Sequence, residues 1–377
     1  MNGNNSNIFQ MAAPCLLGLE GLAAGELRRM DAQNVTAENG RVFFEGDGSM
    51  LARANLNCRY AERIGIVMGR FEAVSFDELF EKTKALPWER WISKSDAFPV
   101  KGSSLNSQLH SVPDCQKIIK KAIVERLKAK YALNWFEETG ALHRIQFLLM
   151  KDQVLLMIDT SGAGLHKRGY RPNGAVAPIK ETLAAAMADI AFVRRDSHVI
   201  DPCCGSGTIL IESAMKALNV APGLRRSFAA EQWRQVSPDV WRSERERAKE
   251  LINRDAQFSA CGYDIDENVI ELARRNAYQA GMSRRITFEK RDIADFTPDG
   301  ERGVVVCNPP YGERLLTQEE ARAIYQTMGE RFERRDGWSY AIITPEEEFE
   351  HFFGRKCDKQ RKLYNGMLQC RLYLFFK

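Results

Sequence analysis

The sequence lacks the patterns that identify several common classes of protein. Its nine cysteines include no C-x-x-C pair and its five histidines are dispersed, so we predict no zinc site and no other structural metal. An odd, unpatterned set of cysteines is typical of reduced thiols in a cytosol. No stretch approaches the roughly 18 apolar residues that cross a membrane, and the polar first residues do not resemble a signal peptide. We therefore expect a cytoplasmic protein that does not bind membranes.

The composition is that of an ordinary globular protein. With 377 residues, of which 44% are hydrophobic and 28% charged, the chain can form two or three folded domains and shows no sign of disorder. The formal net charge is +4. This basic excess is compatible with nucleic-acid binding, but it is also common in enzymes that bind none. We expect a monomer.

A glycine-rich turn, D-P-C-C-G-S-G-T, occupies residues 201–208. The apolar pair Val199-Ile200 is predicted to end a strand before it, and the apolar residues 209–211 are predicted to begin a helix after it. Open α/β sheets bind ligands at such a strand–turn–helix edge. Gly205 and Gly207 have no Cβ, so the backbone can turn sharply and approach a ligand closely.

The same turn differs from two common nucleotide-binding loops. Leu210 stands where a dinucleotide fingerprint has its third glycine, and Asp264 lies far beyond the acidic position expected about 20 residues further on. The G-K-[ST] sequence of a P-loop is absent. A carboxylate at Asp201 would repel a pyrophosphate and attract a cation. The turn therefore favours S-adenosylmethionine, which carries a sulfonium and an amino group.

A second stretch, Asn308-Pro309-Pro310-Tyr311, follows residues 303–307, which are predicted to form a buried strand. It suits methylation of an exocyclic amine on a nucleobase, because that amine is a poor nucleophile until its N–H bonds are accepted. The side-chain oxygen of Asn308 and the carbonyl of Pro309 are the predicted acceptors, and the prolines hold the loop rigid. Tyr311 offers a flat face for a base taken out of its stack. The alternative is that Asn-Pro-Pro is only a turn.

Four stretches in order resemble the THUMP-domain guanine-N2 RNA methyltransferases, in particular the bacterial large-subunit rRNA methyltransferases of the L type in their stand-alone form. They are D-T-S-G-A-G-L-H-K-R-G-Y-R at 159–171, A-P-I-K-E-T-L-A at 177–184, the glycine turn, and N-P-P-Y-G-E-R at 308–314. The resemblance covers nearly the whole chain. One departure is Cys203, where the family usually has a bulky apolar residue.

The resemblance implies an α/β fold with two functional halves. The catalytic half would be a class I, Rossmann-like methyltransferase with a mostly parallel seven-stranded sheet, and the N-terminal half an α+β RNA-binding unit. We predict a ferredoxin-like subdomain at 1–60, a THUMP domain at 61–160, a linker at 161–177 and the methyltransferase domain at 178–377. The implied reaction is methylation of guanine N2 in 23S rRNA or in a ribosome-assembly precursor.

Ten residues are predicted to bind the cofactor: Asp201, Cys203, Gly205, Gly207, Thr208, Asp264, Asp292, Asn308, Glu181 and Thr182. Asp264 ends a predicted strand, where an acid can accept both ribose hydroxyls, and Asp266 is interpreted as the N-cap of the next helix. Asp292 would accept from the adenine amino group, or it is an exposed loop residue. Glu181 and Thr182 are included because of the resemblance, and core packing is the alternative for them.

Two basic groups are candidate RNA contacts. A predicted helix at 114–131 carries the first group, which consists of Lys117, Lys120, Lys121 and Lys128. These lysines would neutralise RNA phosphates, or they form a solvated helix face. The second group, in the predicted linker, consists of Lys167, Arg168 and Arg171. These residues would contact phosphates near the target nucleotide, or they are simply part of a linker surface.

Two other functions remain open at this point. A DNA adenine-N6 methyltransferase would also use an Asn-Pro-Pro-Tyr loop, because it methylates the same kind of amine. A non-catalytic RNA-binding or ribosome-assembly factor would retain the cofactor fold without turnover. The presence of both intact motifs argues against the non-catalytic factor.

Overall fold

The computed structural model describes residues 8–171, 179–311 and 317–376. These residues form two seven-stranded sheets, one in each half of the chain, and helices accompany both. The predicted combination of an α+β N-terminal half and an α/β C-terminal half is therefore confirmed.

The N-terminal sheet is continuous across both predicted N-terminal units. Its strands are β1 (Phe9–Pro14), β2 (Gln33–Glu38), β3 (Arg41–Gly46), β4 (Gly65–Glu72), β5 (Val100–Leu105), β6 (Ile145–Met150) and β7 (Gln153–Asp159). The accompanying helices are α1 (Glu20–Arg29), α2 (Gly48–Asn57), α3 (Phe76–Lys84) and α4 (Val112–Tyr131). The strand order is β2-β3-β1-β4-β7-β6-β5. Because β1 pairs with β4, with Met11 opposite Ile66, the ferredoxin-like and THUMP segments share one sheet.

Local sequence signals explain several of these elements. The Asn39-Gly40 pair turns β2 into β3, and Gly40 has the positive φ of 74° that glycine adopts without strain. The hydroxyl of Ser75 accepts a hydrogen bond from the backbone N–H of Glu78 at 3.2 Å and so caps α3. Both features occur where the sequence predicts them.

Helices cover only one face of the N-terminal sheet. On that face, α1 to α4 contribute to the main hydrophobic core, for example through Leu27, Leu51, Leu79 and Ile123. Side chains alternate along a strand, so the other residues of the same strands point the opposite way. On that side Ala12, Leu155 and Met157 form a separate cluster with Leu148, and every residue of this cluster comes from a strand. We call this uncovered side the open face.

The catalytic sheet is parallel except for a terminal hairpin. Its strands are β8 (His198–Asp201), β9 (Ser259–Asp264), β10 (Ile286–Lys290), β11 (Gly303–Cys307), β12 (Trp338–Thr344), β13 (Lys359–Asn365) and β14 (Leu368–Phe376). Its helices are α5 (Glu181–Ile190), α6 (Thr208–Ala217), α7 (Pro238–Glu250), α8 (Glu267–Ala280), α9 (Gln318–Arg331) and α10 (Phe349–Phe353). The strand order is β10-β9-β8-β11-β12-β14-β13. Helices α5, α6 and α8 pack on one face, and α9 and α10 pack on the other.

The segment between α6 and β9 packs the two halves together. The indole of Trp233 stacks on the ring of His143 in the N-terminal half, with 4.5 Å between the ring centroids. The guanidinium of Arg53 in α2 is 2.7 Å from the carboxylate of Glu244 in α7. The N-terminal half is therefore packed directly against the catalytic half.

The helices in the described ranges include none that is long and apolar enough to cross a membrane. In the same residues, no group of three or more His, Cys, Asp or Glu side chains is placed to hold a metal ion. The nine cysteines, all of which lie in the described ranges, form no disulfide bond.

Candidate active site

The glycine turn connects β8 to α6 at the carboxyl edge of the catalytic sheet. Gly207 has a φ of 76°, and a Cβ there would lie 2.9 Å from the ring of Phe288, so only glycine fits. Gly205 has a φ of 50°, and a Cβ there would meet no described atom within 4 Å. Gly207 is therefore required by packing, whereas Gly205 faces open space in which a ligand can approach the backbone.

Asp264 connects the end of β9 to this turn. Its Oδ2 accepts a hydrogen bond from the backbone N–H of Gly205 at 3.0 Å, and its Oδ1 accepts one from the N–H of Asp266 at 3.1 Å. Asp266 caps α8 by accepting from the N–H of Asn268 at 2.8 Å, as predicted. The half-buried carboxylate of Asp264 thus lies beside the open space at Gly205, where it can accept further hydrogen bonds.

The Asn-Pro-Pro-Tyr loop emerges at the same edge. Strand β11 is parallel to β8, with Val305 opposite Ile200, so the residues that follow both strands are neighbours. The side-chain oxygen of Asn308 is buried and has no hydrogen-bond partner among the described residues. The hydroxyl of Tyr311 accepts a hydrogen bond from the carboxamide of Asn365 at 2.9 Å. One acceptor without a partner and one anchored aromatic ring therefore stand beside the glycine turn.

Four predicted cofactor ligands have almost no exposed surface. These four residues are 0–3% exposed: Asp201, Thr208, Glu181 and Thr182. Side chains enclosed in this way support the site from beneath. Cys203 and Asn308 are only partly buried and Asp292 is exposed. Direct contact with the cofactor stays a prediction for all seven residues.

Asp201 shows what such support consists of. Its Oδ1 accepts a hydrogen bond from the backbone N–H of Cys203 at 3.1 Å, and the thiol of Cys307 lies against its carboxyl group. Burial raises the pKa of Asp201 to about 7. The residue therefore joins the glycine turn to the end of β11, and it carries less negative charge near neutral pH than the sequence suggests.

Asp292 stands at the third strand end, after β10. It is exposed, and its Oδ1 accepts from the backbone N–H of Ala294 at 2.9 Å. This bond orders the short 3₁₀ turn Ile293–Asp295. A contact between Asp292 and an adenine amino group stays a prediction.

The structure corrects the prediction that Arg168 binds RNA. Its side chain is buried, donates to the backbone carbonyls of Arg59 at 2.6 Å and Leu165 at 2.7 Å, and lies 3.4 Å from the carboxylate of Glu212. A guanidinium enclosed in this way cannot reach a phosphate. Of the linker residues in the predicted group, Lys167 is exposed.

Arg171 also points into the protein. Its guanidinium lies 2.8 Å from the carboxylate of Glu181 and donates to the hydroxyl of Thr208 at 3.1 Å and to the carbonyl of Ile179. Arg171 therefore connects the linker to the first residues of α5 and α6. This role differs from the predicted contact with RNA.

The lysines of α4 divide into two pairs. Lys117 and Lys121 are exposed, with Lys117 lying 3.7 Å from the carboxylate of Asp114. Lys120 pairs with Glu138 and lies over the ring of Phe98 at 3.4 Å. Lys128 pairs with Glu125 at 3.2 Å along the helix, and both Lys120 and Lys128 are only partly exposed. Contact with RNA stays a prediction for the four lysines.

Sequence reasoning missed Glu62, which links the two halves. Its Oε1 accepts from the hydroxyl of Thr182 at 2.6 Å, and its Oε2 lies 3.3 Å from the ammonium of Lys180 and 3.1 Å from the ring of His166. Burial would raise the pKa of this carboxyl, but the hydrogen bonds from His166 and Thr182 outweigh it. They lower the pKa of Glu62 to about 2. No motif marks this residue, and only the fold brings its partners together.

Asn365 has two roles in the structure. It stands in an Asn-Gly pair, a sequence that favours tight hairpins, and this pair turns β13 into β14. Its second role, in donating a hydrogen bond to Tyr311, depends on the register that brings this hairpin to the carboxyl edge of the sheet.

The residues at this edge fit S-adenosylmethionine. The open space at Gly205 accommodates a ligand, the carboxylate of Asp264 is placed to accept ribose hydroxyls, and the Asn308 oxygen lacks a partner. Together they offer a backbone cradle, a hydroxyl acceptor and an acceptor for a substrate amine, which are the groups that a methyl-transfer site requires.

Three family models match the chain in the order of its structural parts. The RlmL ferredoxin-like domain matches residues 10–65, the THUMP domain residues 73–159, and the RMKL-like methyltransferase domain residues 168–373. The last match covers more than half of the chain. The first match covers β1 to β3, the second covers α3, α4 and β5 to β7, and the third covers nearly all of the catalytic sheet, while β4 falls between the first two matches.

Individual relatives agree with these matches. The chain is 44% identical to "Putative RNA methyltransferase YpsC" of Bacillus subtilis over 98% of its own length and 96% of the relative. It is 34% identical to "Ribosomal RNA large subunit methyltransferase K/L" of Syntrophotalea carbinolica over 95% of its own length, but it spans only 52% of that protein. A crystal structure described as "SMU.472, a putative methyltransferase complexed with SAH" superposes with a TM-score of 0.92 at 41% identity, covering 98% of both chains. The chain therefore belongs to the RMKL-like family of methyltransferases, which use S-adenosylmethionine.

Proposed function

We propose that the protein methylates the exocyclic N2 amine of a guanine in 23S rRNA, with the target base flipped onto the Asn-Pro-Pro-Tyr loop. The observation that carries this proposal is the Asn308 side-chain oxygen, which is buried and has no partner among the described residues. A buried acceptor without a partner is costly, so its retention at the edge of the catalytic sheet is explained if a substrate donor completes it.

An exocyclic amine carries two N–H donors, and the loop offers acceptors for both. Its lone pair is delocalised into the base, which makes the nitrogen a poor nucleophile. Acceptance of its two N–H bonds by the Asn308 oxygen and the Pro309 carbonyl would favour a pyramidal nitrogen with its lone pair directed out of the ring. The bound cofactor supplies the electrophilic methyl group. No general base is required in this scheme, because the proton can leave after transfer.

Tyr311 would hold the flipped base. An aromatic face stacks on an unpaired base with a gain of about 1–3 kcal/mol, and the hydrogen bond from Asn365 fixes where the ring stands. The two prolines before it restrict the backbone and keep this distance constant. The loop can therefore position a base without a lid.

RNA is favoured over DNA by the N-terminal half. The THUMP match at residues 73–159 and the names of the two relatives both connect this architecture with RNA. We propose that residues 1–60 and 61–160 bind RNA and that residues 178–377, reached through a linker at 161–177, carry out methyl transfer. A ribosome-assembly precursor is an equally suitable substrate, because it contains the same rRNA.

Transfer of a labelled methyl group tests the proposal. The purified protein is incubated with labelled S-adenosylmethionine and, separately, with total RNA and genomic DNA from a strain that lacks the gene, and the labelled nucleosides are identified after digestion. The proposal predicts N2-methylguanosine in 23S rRNA. N6-methyladenine in DNA would contradict the proposal and favour the adenine-N6 DNA methyltransferase instead. No label in RNA, DNA or assembly particles would instead favour a binding factor without turnover.

A further inference from the structure

Two thiols and one carboxyl group meet where β8 and β11 end. Cys203 belongs to the glycine turn, Cys307 is the last residue of β11, and Asp201 is the last residue of β8. The Cys307 thiol is in hydrogen-bonding contact with both the Cys203 thiol and the Asp201 carboxyl group. The backbone N–H of Cys203 donates to Asp201 at 3.1 Å. The methyl transfer proposed above uses neither thiol as a reacting group.

The sheet register brings the two cysteines to a distance that suits a disulfide. Strand β11 is parallel to β8, with Val305 opposite Ile200. Carried two residues further, this register brings Cys307 opposite Pro202, and Cys203 follows one residue later. A strand spacing of about 4.8 Å and one residue step of about 3.3 Å give a Cα separation of about 6 Å. Disulfides join Cα atoms that are roughly 4.4–6.8 Å apart.

The two thiols differ in their access to solvent. Cys307 is 0% exposed, whereas Cys203 is only partly buried. A small molecule in solution therefore reaches the Cys203 sulfur first. Burial raises the pKa of the Cys307 thiol well above its usual range, and the neighbouring Cys203 and Asp201 raise it further. Cys307 thus keeps its proton until a base beside it takes that proton away.

The cluster does not have the composition of a metal site. Within the part of the chain that the structure describes, no group of three or more His, Cys, Asp or Glu side chains is placed to hold a metal ion. Two adjacent thiols can instead be joined to each other, because a sulfenic acid formed on one thiol condenses with a second thiol to give a disulfide. An accessible thiol beside a buried thiol and a carboxyl group suits that chemistry.

We propose that Cys203 and Cys307 form an oxidation site at which hydrogen peroxide converts the two thiols into a disulfide. First, the Cys203 sulfur attacks one peroxide oxygen and the O–O bond breaks, which gives a sulfenic acid and one water. The Cys307 sulfur then attacks the Cys203 sulfur, its proton passes to Asp201, and the sulfenic hydroxyl leaves as hydroxide. The hydroxide takes up that proton and becomes the second water. The two thiols supply the two electrons that reduce the peroxide.

Asp201 is suited to transfer this proton. It contacts the Cys307 thiol directly, and burial raises its pKa to about 7. A group with a pKa near the ambient pH can both accept a proton and give it up again. The cluster therefore contains the accessible thiol, the buried thiol and the proton carrier that the reaction needs.

The disulfide would connect the two loops of the candidate active site. Cys203 stands two residues before Gly205, and Cys307 stands directly before Asn308. An S–S bond of about 2.05 Å is roughly 1.5 Å shorter than a non-bonded contact, so one of the two segments has to move. Because β11 is paired with β8 on one side and β12 on the other, the glycine turn is the segment that gives way. Oxidation should therefore weaken binding of the cofactor.

Peptide mapping of the oxidised protein is the first test. The reduced full-length protein is treated with hydrogen peroxide, the remaining thiols are blocked with N-ethylmaleimide, and trypsin is added without reductant. Trypsin releases the peptide 196–216, which carries Cys203, and the peptide 303–314, which carries Cys307. We expect mass spectrometry to find these two peptides joined, and we expect dithiothreitol to separate them.

Other cysteines provide the controls. Cys204 lies in the same peptide as Cys203, and fragmentation of the joined peptides distinguishes the two. The half-buried Cys261 accepts a hydrogen bond from Thr287 at 3.2 Å, and Cys261→Ser should leave the crosslinked fraction unchanged. Cys307→Ser should abolish the crosslink and leave a Cys203 sulfenic acid that dimedone traps. Unjoined peptides in the wild type, or a link through Cys204 or Cys261, would overturn the proposal.

Calorimetry with S-adenosylmethionine measures the consequence for the cofactor site. We expect the oxidised wild type to bind about tenfold more weakly, the effect of losing roughly one hydrogen bond, and dithiothreitol should restore the affinity. The affinity of Cys203→Ser, whatever its value before treatment, should not change with peroxide. A disulfide that leaves the affinity unchanged would overturn the coupling to the glycine turn.

These measurements are independent of the substrate. An effect of oxidation on turnover rests on the proposed function, whereas the disulfide and the weaker binding of the cofactor do not. A protein that forms the Cys203–Cys307 disulfide but methylates no guanine would retain this inference and lose the proposed function. A protein that methylates guanine but forms no such disulfide would do the reverse.

Discussion

The two seven-stranded sheets of this protein have the same number of strands but present different surfaces to ligands. The catalytic sheet has helices on both faces, and its candidate site lies at the carboxyl edge, where the glycine turn meets the Asn-Pro-Pro-Tyr loop. The N-terminal sheet has helices on one face only, and on its other face a small cluster is formed by strand residues alone. A parallel sheet is normally covered on both sides, whereas a sheet with many antiparallel pairs can leave one side to solvent.

The difference suggests a physical division of roles. Methyl transfer requires a few groups held at fixed distances, and strand ends hold them well because a rigid sheet lies behind each one. Binding of a folded RNA requires a wide surface, which an N-terminal half of about 160 residues can provide. In our account, catalysis therefore belongs to the edge of one sheet and RNA binding to the half of the chain that contains the other.

Substitution of Asn308 should have the largest effect. Asn308→Ala removes the acceptor at the catalytic edge and is expected to lower kcat by about 10³-fold, as is typical when one preorganised polar group is lost. Cofactor binding, measured by calorimetry, should survive. Asn268→Ala, at an exposed position of α8, is the matched control and should retain full activity. A fully active Asn308→Ala protein would contradict the mechanism.

Arg168→Gln is expected to have the next largest effect, on stability. It leaves Glu212 buried beside Tyr170 without its cationic partner, and breaking a buried pair costs about 3–5 kcal/mol. Chemical denaturation should show this loss, and the exposed control Lys167→Gln should show none. If Arg168→Gln weakened RNA binding without changing the free energy of unfolding, our correction of its role would be wrong.

Glu62→Gln tests the connection between the halves and should have a smaller effect. Hydrogen bonds to a charged group contribute roughly 1.5–3 kcal/mol, so we expect a loss of about 2 kcal/mol at pH 7. Because the folded pKa of Glu62 is lowered to about 2, its contribution is present above the ordinary glutamate pKa. It is lost as the pH falls through the folded value.

The difference in unfolding free energy between wild type and Glu62→Gln should therefore shrink steadily between about pH 5 and pH 2. Urea denaturation at several pH values measures it. A difference that is constant over this interval would mean that the charge of Glu62 contributes nothing to the contact between the halves.

The smallest effect is expected for the lysines of α4. Lys117 lies 3.7 Å from Asp114 and both side chains are largely exposed, so water and salt screen the attraction between them. Lys117→Gln/Lys121→Gln should leave the free energy of unfolding in urea unchanged within the error of the measurement. A clear loss of stability would indicate that the helix-covered face depends on these charges.

Local sequence patterns predicted the catalytic edge well. Several elements depend only on neighbouring residues, and the structure has each of them in place. They are the glycine turn, the Asp266 cap, the strand before Asn308 and the Asn39-Gly40 and Asn365-Gly366 hairpins. The burial of Arg168, Arg171 and Thr182 could not be predicted in this way. Their partners lie up to 120 residues away in the chain, so only the packing of the two halves decides whether these polar side chains face solvent.

The same limit explains why the open face was missed. Alternation along β6 indicates that Gln146 and Leu148 share one side of a strand, but not whether a helix covers that side. The pairing between β1 and β4, which joins the two N-terminal segments in one sheet, is likewise signalled by no local motif.

The most direct test of the account is steady-state methyl transfer on the labelled RNA fraction, with kcat and KM determined separately for the wild type and for Asn308→Ala. We predict that Asn308→Ala lowers kcat by about 10³-fold with KM nearly unchanged, because its interaction strengthens in the transition state. A raised KM with an unchanged kcat would contradict the role that the account gives to the Asn308 oxygen.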